Sequence, residues 1–240
     1  MPAESSTARL TFRTLQWKVI NDTGMLLLDQ PPANAMTSVF FDELYHLTED
    51  HIPKLKIKAI IIMGSGRHFS SGADLAELRA SIRSESVLNA SGNRVRYPES
   101  MIHNLKSFRF FDRLRIPVIA AIRGVCLGSG LELALHCHFR LASTNSVLAL
   151  PEASYNLIPG LGGIQHILVR VPRITAIEMI FKGNSIDSDA ALKAGLIDRI
   201  VPRNSLLEAA MILGEIAGEN YRRYLKPEYL RRFHEKLKVI

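Results

Sequence analysis

Cysteine is scarce in this chain: only Cys126 and Cys137 occur among 240 residues. Both lie in apolar stretches without Cys-x-x-Cys spacing, which excludes a disulfide framework and points to reduced core thiols of a cytoplasmic protein. Long hydrophobic runs are missing too. Ile116 to Ile122 and Ala59 to Met63 are the strongest, far short of the roughly 20 residues a spanning helix needs, so both are expected as buried strands. Met1 to Leu10 is polar and has no apolar core of a secretion signal; Arg9 and the hydroxyl residues give it a faint transit-peptide character that Glu4 opposes. No Gly-x-Gly-x-x-Gly follows a strand, and no Gly-Lys-Ser/Thr is present. The phosphate-cradling loops of dinucleotide-binding and P-loop enzymes are thereby excluded. Ser129 lies between glycines but lacks the glycine two residues earlier that a nucleophile elbow needs. Linkers, low-complexity tracts and clear repeats are also wanting, which leaves a single domain.

What is present is ordinary globular composition, 47% hydrophobic and 22% charged, with a net charge of +7. A chain of this length buries roughly 70% of its unfolded surface, enough for a core without staples. The positive excess suits an anionic partner and does not by itself separate nucleic acid, lipid and phosphorylated small molecule. The tail cations Arg222, Arg223, Arg231, Arg232, Lys236 and Lys238 fit a solvated face of a basic amphipathic helix from Pro227. No aromatic-rich basic motif accompanies them, so nucleic acid is not the expected partner.

Strand period runs from Leu10 to Ile20, and Asn21-Asp22-Thr23-Gly24 supplies turn chemistry before Met25 to Leu28, so a hairpin opens the chain. Thr37 is placed to cap a helix that carries Val39, Phe40, Leu44 and Leu47 and ends near Pro53. After the strand at Ala59 comes a glycine-punctuated loop from Gly64 to Asp74. Ser81 to Pro98 is polar and irregular, a candidate mobile surface segment. Further helices are expected over Glu99 to Leu114, Leu131 to Cys137, Gly163 to Arg170, Thr175 to Lys182, Asp187 to Lys193 and Leu206 to Ala217. Further strands fall at Val118 to Ile122, Phe139 to Ala142, Val147 to Leu150 and Ile197 to Val201. Such alternation defines an α/β class. His136 and His138 are two apart with no third ligand nearby in sequence, so core or surface roles are expected and no metal site.

Three segments carry chemistry: Phe69-Ser70-Ser71-Gly72-Ala73-Asp74, Gly124 to Glu132, and Pro151-Glu152 with the glycines Gly160, Gly162 and Gly163 following. Small residues around Ala73 and Ser129 let a ligand approach the backbone. Two peptide N–H groups there can bind one oxygen, and a helix entry at Ser129 adds the pull of the helix dipole. Glu132 follows Ser129 by about one helical turn and can face the same pocket. Glu152 lies in a loop twenty residues later. Two carboxyls facing one water or one carbon can split acid and base roles. Asp74 is placed to cap a helix starting at Leu75.

In this order and spacing the three segments resemble the crotonase, or enoyl-CoA hydratase/isomerase, superfamily. The likeness runs from the opening hairpin to about Ala217 and includes Pro32-Ala33-Asn34-Ala35-Met36 and Ala190 to Val201. It implies an α/β spiral of ββα units, a core over residues 1–200 and a shortened C-terminal helical region over 201–240. It implies that the Ala73 and Ser129 N–H groups form an oxyanion hole for a thioester enolate. Ala73, Asp74, Leu75, Ala76 and Ser129 would then line the path of the CoA moiety. Hydratases of the family carry glutamate at both acid positions, so the likeness implies hydration of a 2-enoyl-CoA, with Glu132 activating water and Glu152 delivering the α proton. CoA would enter as part of the substrate, with no separate cofactor, and the protein would assemble as a homotrimer or homohexamer. An enoyl-CoA isomerase or another CoA-thioester enzyme, and a non-catalytic or nucleic-acid-binding homologue, stand as alternatives. Ser129, His138, Tyr155 and Asn156 depart from the family pattern, and the short C-terminus bears on the cover of the acyl pocket.

Overall fold

The structure, a computed structural model, describes residues 9–85 and 99–219. β1 (Arg9–Thr11) pairs antiparallel with β2 (Leu15–Ile20), which turns back into β3 (Thr23–Leu28). The single strand expected from Leu10 to Ile20 is therefore two. The break is held by the Glu43 carboxylate, which accepts the N–H groups of Arg13 and Thr14 at 2.8 and 2.9 Å. The following turn is tighter than expected. Asn21 and Asp22 alone make it, with φ of 48° and 60°, the left-handed pair that matches strand twist in a two-residue hairpin.

α1 (Ser38–His46) begins where Thr37 caps it, the hydroxyl accepting the Phe40 N–H. It loosens into a π turn over Leu47–His51 and closes in a 3₁₀ turn, Ile52–Lys54, that accommodates Pro53. There follow β4 (Ala59–Gly64), α2 (Leu75–Glu85), α3 (Glu99–Arg113), β5 (Val118–Ile122), β6 (Val125–Leu127) and α4 (Ser129–Leu135). Next come β7 (Phe139–Ser143), β8 (Val147–Ala149), a 3₁₀ turn Pro151–Tyr155, α5 (Gly163–Leu168) and α6 (Arg173–Lys182). β9 (Ile186–Asp187), α7 (Ser188–Ala194), β10 (Arg199–Val201) and α8 (Leu206–Glu219) complete the described chain.

Seven strands form one sheet in the order β1-β2-β3-β4-β5-β7-β10, parallel from β3 onward. β6, β8 and β9 form a second, smaller sheet. β6 and β9 are absent from the sequence expectations, because three- and two-residue strands show no periodicity. The chain thus climbs in units: a strand of the large sheet, a short strand of the small one, then a helix. β5-β6-α4 is such a unit, and Ser70, bridged to Cys126, gives β4 and α2 the same form. This is an α/β spiral of ββα units.

Sheet position explains the apolar runs. β4 and β5 are buried throughout, as parallel strands covered on both faces should be. Ile60, Ile62, Val118 and Ala120 join the main core with Phe40, Phe108 and Leu131. Ile61, Ile119 and Ala121 face the other way, against Leu206, Ala210 and Leu213 of α8. Both cysteines are free and buried. Of the polar segment Ser81 to Pro98, Ser81–Glu85 ends α2; the rest lies outside the described residues, as do the start of the chain and the basic tail. No helix among the described residues is long and apolar enough to cross a membrane.

Candidate active site

β4 leads into a loop that must be held open without regular pairing, and Asn34 does this. It is buried, with φ of 53°. Its Nδ2 donates to the carbonyls of Ser65, His68 and Phe69 at 3.0, 2.9 and 3.2 Å, and its Oδ1 accepts the Gln30 N–H at 3.0 Å. Ser70 continues the framework, donating to the Asn34 carbonyl at 2.7 Å and accepting the Gly72 N–H at 3.0 Å. Asn34 lies in the family-like segment Pro32 to Met36, where nothing in the sequence alone gives it a role.

Ala73 is bridged to Met36. That bridge uses its neighbours, since the Met36 N–H donates to the Gly72 carbonyl at 2.8 Å and the Asp74 N–H to the Met36 carbonyl at 2.9 Å. Strand alternation then turns the Ala73 N–H to the opposite side. Asp74 caps α2, its Oδ1 accepting the N–H groups of Ala76 and Glu77 at 3.0 and 2.9 Å. Leu75 and Ala76, the first residues of α2, are exposed.

α4 starts at Ser129, two residues before the expected Leu131, so Ser129 and Glu132 share its first turn. Its first internal bond is from the Glu132 N–H to the Gly128 carbonyl, 2.9 Å. The Ser129 N–H is therefore one of the free leading amides of a helix. Gly128 turns the chain into the helix at φ 50° and ψ −127°, a conformation open only to glycine. The elements meet closely here. A side chain at Gly72 would place its first carbon 3.4 Å from the Ser129 nitrogen, and one at Gly128 would lie 3.1 Å from Glu152 Oε1. Ala73, Ser129 and Glu152 are thus brought to one place by glycines.

Glu132 is 1% exposed. Its Oε1 accepts the N–H groups of Leu161 and Gly163 at 2.7 and 2.9 Å. Burial, reinforced by the Glu152 charge, pushes its pKa up to about 8 against the opposing pull of those two donors. Glu152 lies in the 3₁₀ turn after β8 rather than in an irregular loop. Its Oε2 is buried with no hydrogen-bond partner among the described residues, and burial raises its pKa to about 7. The Glu152 charge thus makes Glu132 the harder of the two to ionise. Glycines 162 and 163 prove to be helix-entry glycines of α5, and Gly163 also serves Glu132 directly.

His136 and His138 part company. His138 Nδ1 accepts the Val118 N–H at 3.0 Å, whereas His136 lies 2.8 Å from Asp112 Oδ2 and 3.2 Å from His166 Nε2. The partners of His136 thus come from α3 and α5, distant in sequence.

The chain matches the family model for enoyl-CoA hydratase/isomerase over residues 22–237. It is 36% identical over 176 residues to the "Probable enoyl-CoA hydratase" of Bacillus subtilis, covering 72% of this chain and 64% of that one. The chain therefore spans a little under two thirds of this relative's length. Pseudomonas aeruginosa DspI has the same fold, with a TM-score of 0.72 and 27% identity over 97% of this chain and 91% of its own. So has a Thermobifida fusca protein solved in complex with CoA, TM-score 0.71 and 23% identity over 94% and 91%. Spiral, backbone cradle and matched sequence agree: this chain belongs to the enoyl-CoA hydratase/isomerase family.

Proposed function

We propose that this protein hydrates the conjugated double bond of a 2-enoyl-CoA thioester. The observation that carries the reading is the buried glutamate pair beside two free backbone amides: Glu132 fixed by two N–H donors, Glu152 with a bare Oε2. The thioester oxygen sits between the N–H groups of Ala73 and Ser129, where the helix dipole adds to the pull on the developing enolate. Losing one such donor costs about 3–4 kcal/mol of transition-state stabilisation. Asp74, Leu75 and Ala76 line the path of the CoA moiety, which enters with the substrate; no separate cofactor takes part.

Glu132 takes a proton from water as the hydroxyl adds to the β carbon, and Glu152 gives a proton to the α carbon. One turnover leaves the proton on Glu132 and the charge on Glu152, which is the order burial favours in the free site. The pair passes that proton back before the next cycle. The test is loss of the conjugated absorbance of crotonyl-CoA and of longer, branched and cyclic enoyl-CoA thioesters. Glu132→Gln and Glu152→Gln should each lower kcat about a hundredfold or more. Turnover of unconjugated 3-enoyl thioesters alone would replace hydration by isomerisation, and no turnover of any thioester would refute the reading.

α6 presents Ile174, Ile177 and Phe181 at helical spacing, 67%, 45% and 69% exposed. An apolar stripe of this kind supports a homo-oligomer, trimer or hexamer; a monomer by light scattering would refute that.

A further inference from the structure

Glu132 and His136 stand four residues apart at the two ends of one helical turn, and both reach the same short loop, Leu161 to Gly163. Glu132 takes its N–H groups. His136 Nε2 lies 2.7 Å from the Leu161 carbonyl; a carbonyl only accepts, so this nitrogen carries the proton and donates. The loop can approach because Gly162 and Gly163 have no side chains to interpose. A first side-chain carbon at Gly162 would sit 2.7 Å from His136 Nε2, and one at Gly163 would sit 2.9 Å from Glu132 Oε1.

The other side of His136 is braced. Asp112 Oδ2 is 2.8 Å from Nδ1, and His166 packs edge-on at 4.3 Å between ring centroids. Arg170 lies 2.9 Å from His166 Nδ1. A guanidinium only donates, so His166 Nδ1 accepts and its proton is on Nε2. Burial, with the His136 and Arg170 charges, lowers the pKa of His166 to about 4, which keeps it neutral. Asp112, His136 and His166 do bring three ligand atoms within 4.8 Å of one another. Yet His166 has no lone pair left on the nitrogen that faces the others, so the cluster is a hydrogen-bond network rather than a ligand set.

We infer that His136, braced by Asp112 and His166, is a positioning residue that clamps the Leu161 to Gly163 loop so that its amides hold Glu132 in register for water activation. The inference rests on the proposed hydratase reading for its catalytic consequence but not for its geometry. Among the described residues, Glu132, Glu152, Asp112, His166, Arg170 and Arg140 are ionisable groups around the clamp.

The test compares His136→Gln, whose amide nitrogen replaces Nε2, with His136→Asn, whose amide nitrogen replaces Nδ1. The Gln variant keeps the donor to Leu161; the Asn variant keeps only the bond to Asp112. With crotonyl-CoA, the Asn variant should lose about tenfold to a hundredfold in kcat with KM nearly unchanged, the cost of about 1 Å of misplacement. Its kcat–pH limb for Glu132 should move to higher pH, because the amide bonds that favour the carboxylate are weakened. The Gln variant should recover most of kcat and the wild-type limb. Equal kcat and equal pH limbs in the two variants would overturn the inference. Carboxyl ¹³C titration of Glu132, assigned with Glu132→Gln, reads the same upward displacement without turnover, so an inactive wild type would sink the hydratase reading and leave the clamp testable. Imidazole ¹⁵N spectra of the wild type need no variant at all: a His136 ring without a proton on Nε2 would overturn the clamp outright.

Discussion

Replacing Glu132 by Gln should change stability with opposite signs at the two ends of the pH range. The folded protein holds the Glu132 proton up to about pH 8, against 4.5 for an ordinary glutamate. A raised carboxyl pKa means that the folded state binds the proton more tightly than the unfolded chain. Its contribution is therefore intact below about pH 4.5 and is lost as pH rises through the folded value. Each pH unit in that window removes about 1.4 kcal/mol. The loss is roughly 3 kcal/mol by pH 7 and roughly 5 kcal/mol above pH 8, set against a total stability of order 5–15 kcal/mol for a single domain.

Gln removes the titration but brings its own cost. Its oxygen can still accept from Leu161 and Gly163, while its NH₂ brings two donors into an enclosed site built for one acidic proton and costs about 1–3 kcal/mol. Glu132→Gln should then be less stable than wild type by about 1–3 kcal/mol at pH 4 and more stable by about 2–4 kcal/mol at pH 9, crossing near pH 6. The assay is urea unfolding across that range, read as the difference between the two proteins. Subtraction matters because His138 and His166, whose pKa values burial lowers to about 4, stabilise above the ordinary histidine value of 6.5 and lose that contribution as pH falls. Those groups are common to both proteins and cancel. A difference that does not move with pH would refute the buried-acid argument, whatever the effect on activity.

Asn34→Ala strips three carbonyls of their donor and puts alanine at φ 53°; unfolding free energy should fall by about 2–4 kcal/mol, and an unchanged urea midpoint would remove Asn34 from the framework. Gly163→Ala forces a carbon to 2.9 Å from Glu132 Oε1; kcat should drop about a hundredfold while the fold persists by circular dichroism. Ser129→Gly keeps the backbone donor, so kcat with crotonyl-CoA should stay within about tenfold, with any change falling on acyl preference; a loss on the scale of Glu132→Gln would show that the hydroxyl takes part.

The proposed site is legible in the sequence where its chemistry would be written in local backbone geometry. A hole built from peptide N–H groups needs small residues beside it, and Gly72-Ala73 and Gly128-Ser129 advertise that in single letters. A cap writes itself as Asp74 before an apolar helix, and both its bonds are present. What stayed hidden depends on contacts far apart in the chain. Nothing local distinguishes His136 from His138, yet one clamps the loop beneath Glu132 and the other accepts a strand amide. The place of His136 is set by Asp112, 24 residues earlier, and by Leu161, 25 residues later, and that of His138 by Val118, 20 residues earlier. β6 and β9 escaped notice for a related reason: they are too short to show a period, and only the neighbouring β8 makes them strands.

The same division explains how a buried acid pair can be tolerated at all. A carboxylate as deeply enclosed as Glu132 is costly unless hydrogen-bonded, and its bonds come from a loop that has little reason of its own to lie there. Leu161 to Gly163 gains no regular pairing from the sheet, and Gly162, at φ 99°, gives up more conformational entropy on ordering than any other residue would. Something has to hold it against α4. His136 does so from the same helix that carries the acid, so one rigid element fixes both the carboxylate and the donors that satisfy it. Glu152, whose Oε2 has no such support among the described residues, is the member that the proposed reaction leaves free to exchange its proton. For the proposed hydration, an asymmetric acid pair of this kind, one member fixed by two amides and one with an unpaired oxygen, suits proton traffic across a double bond.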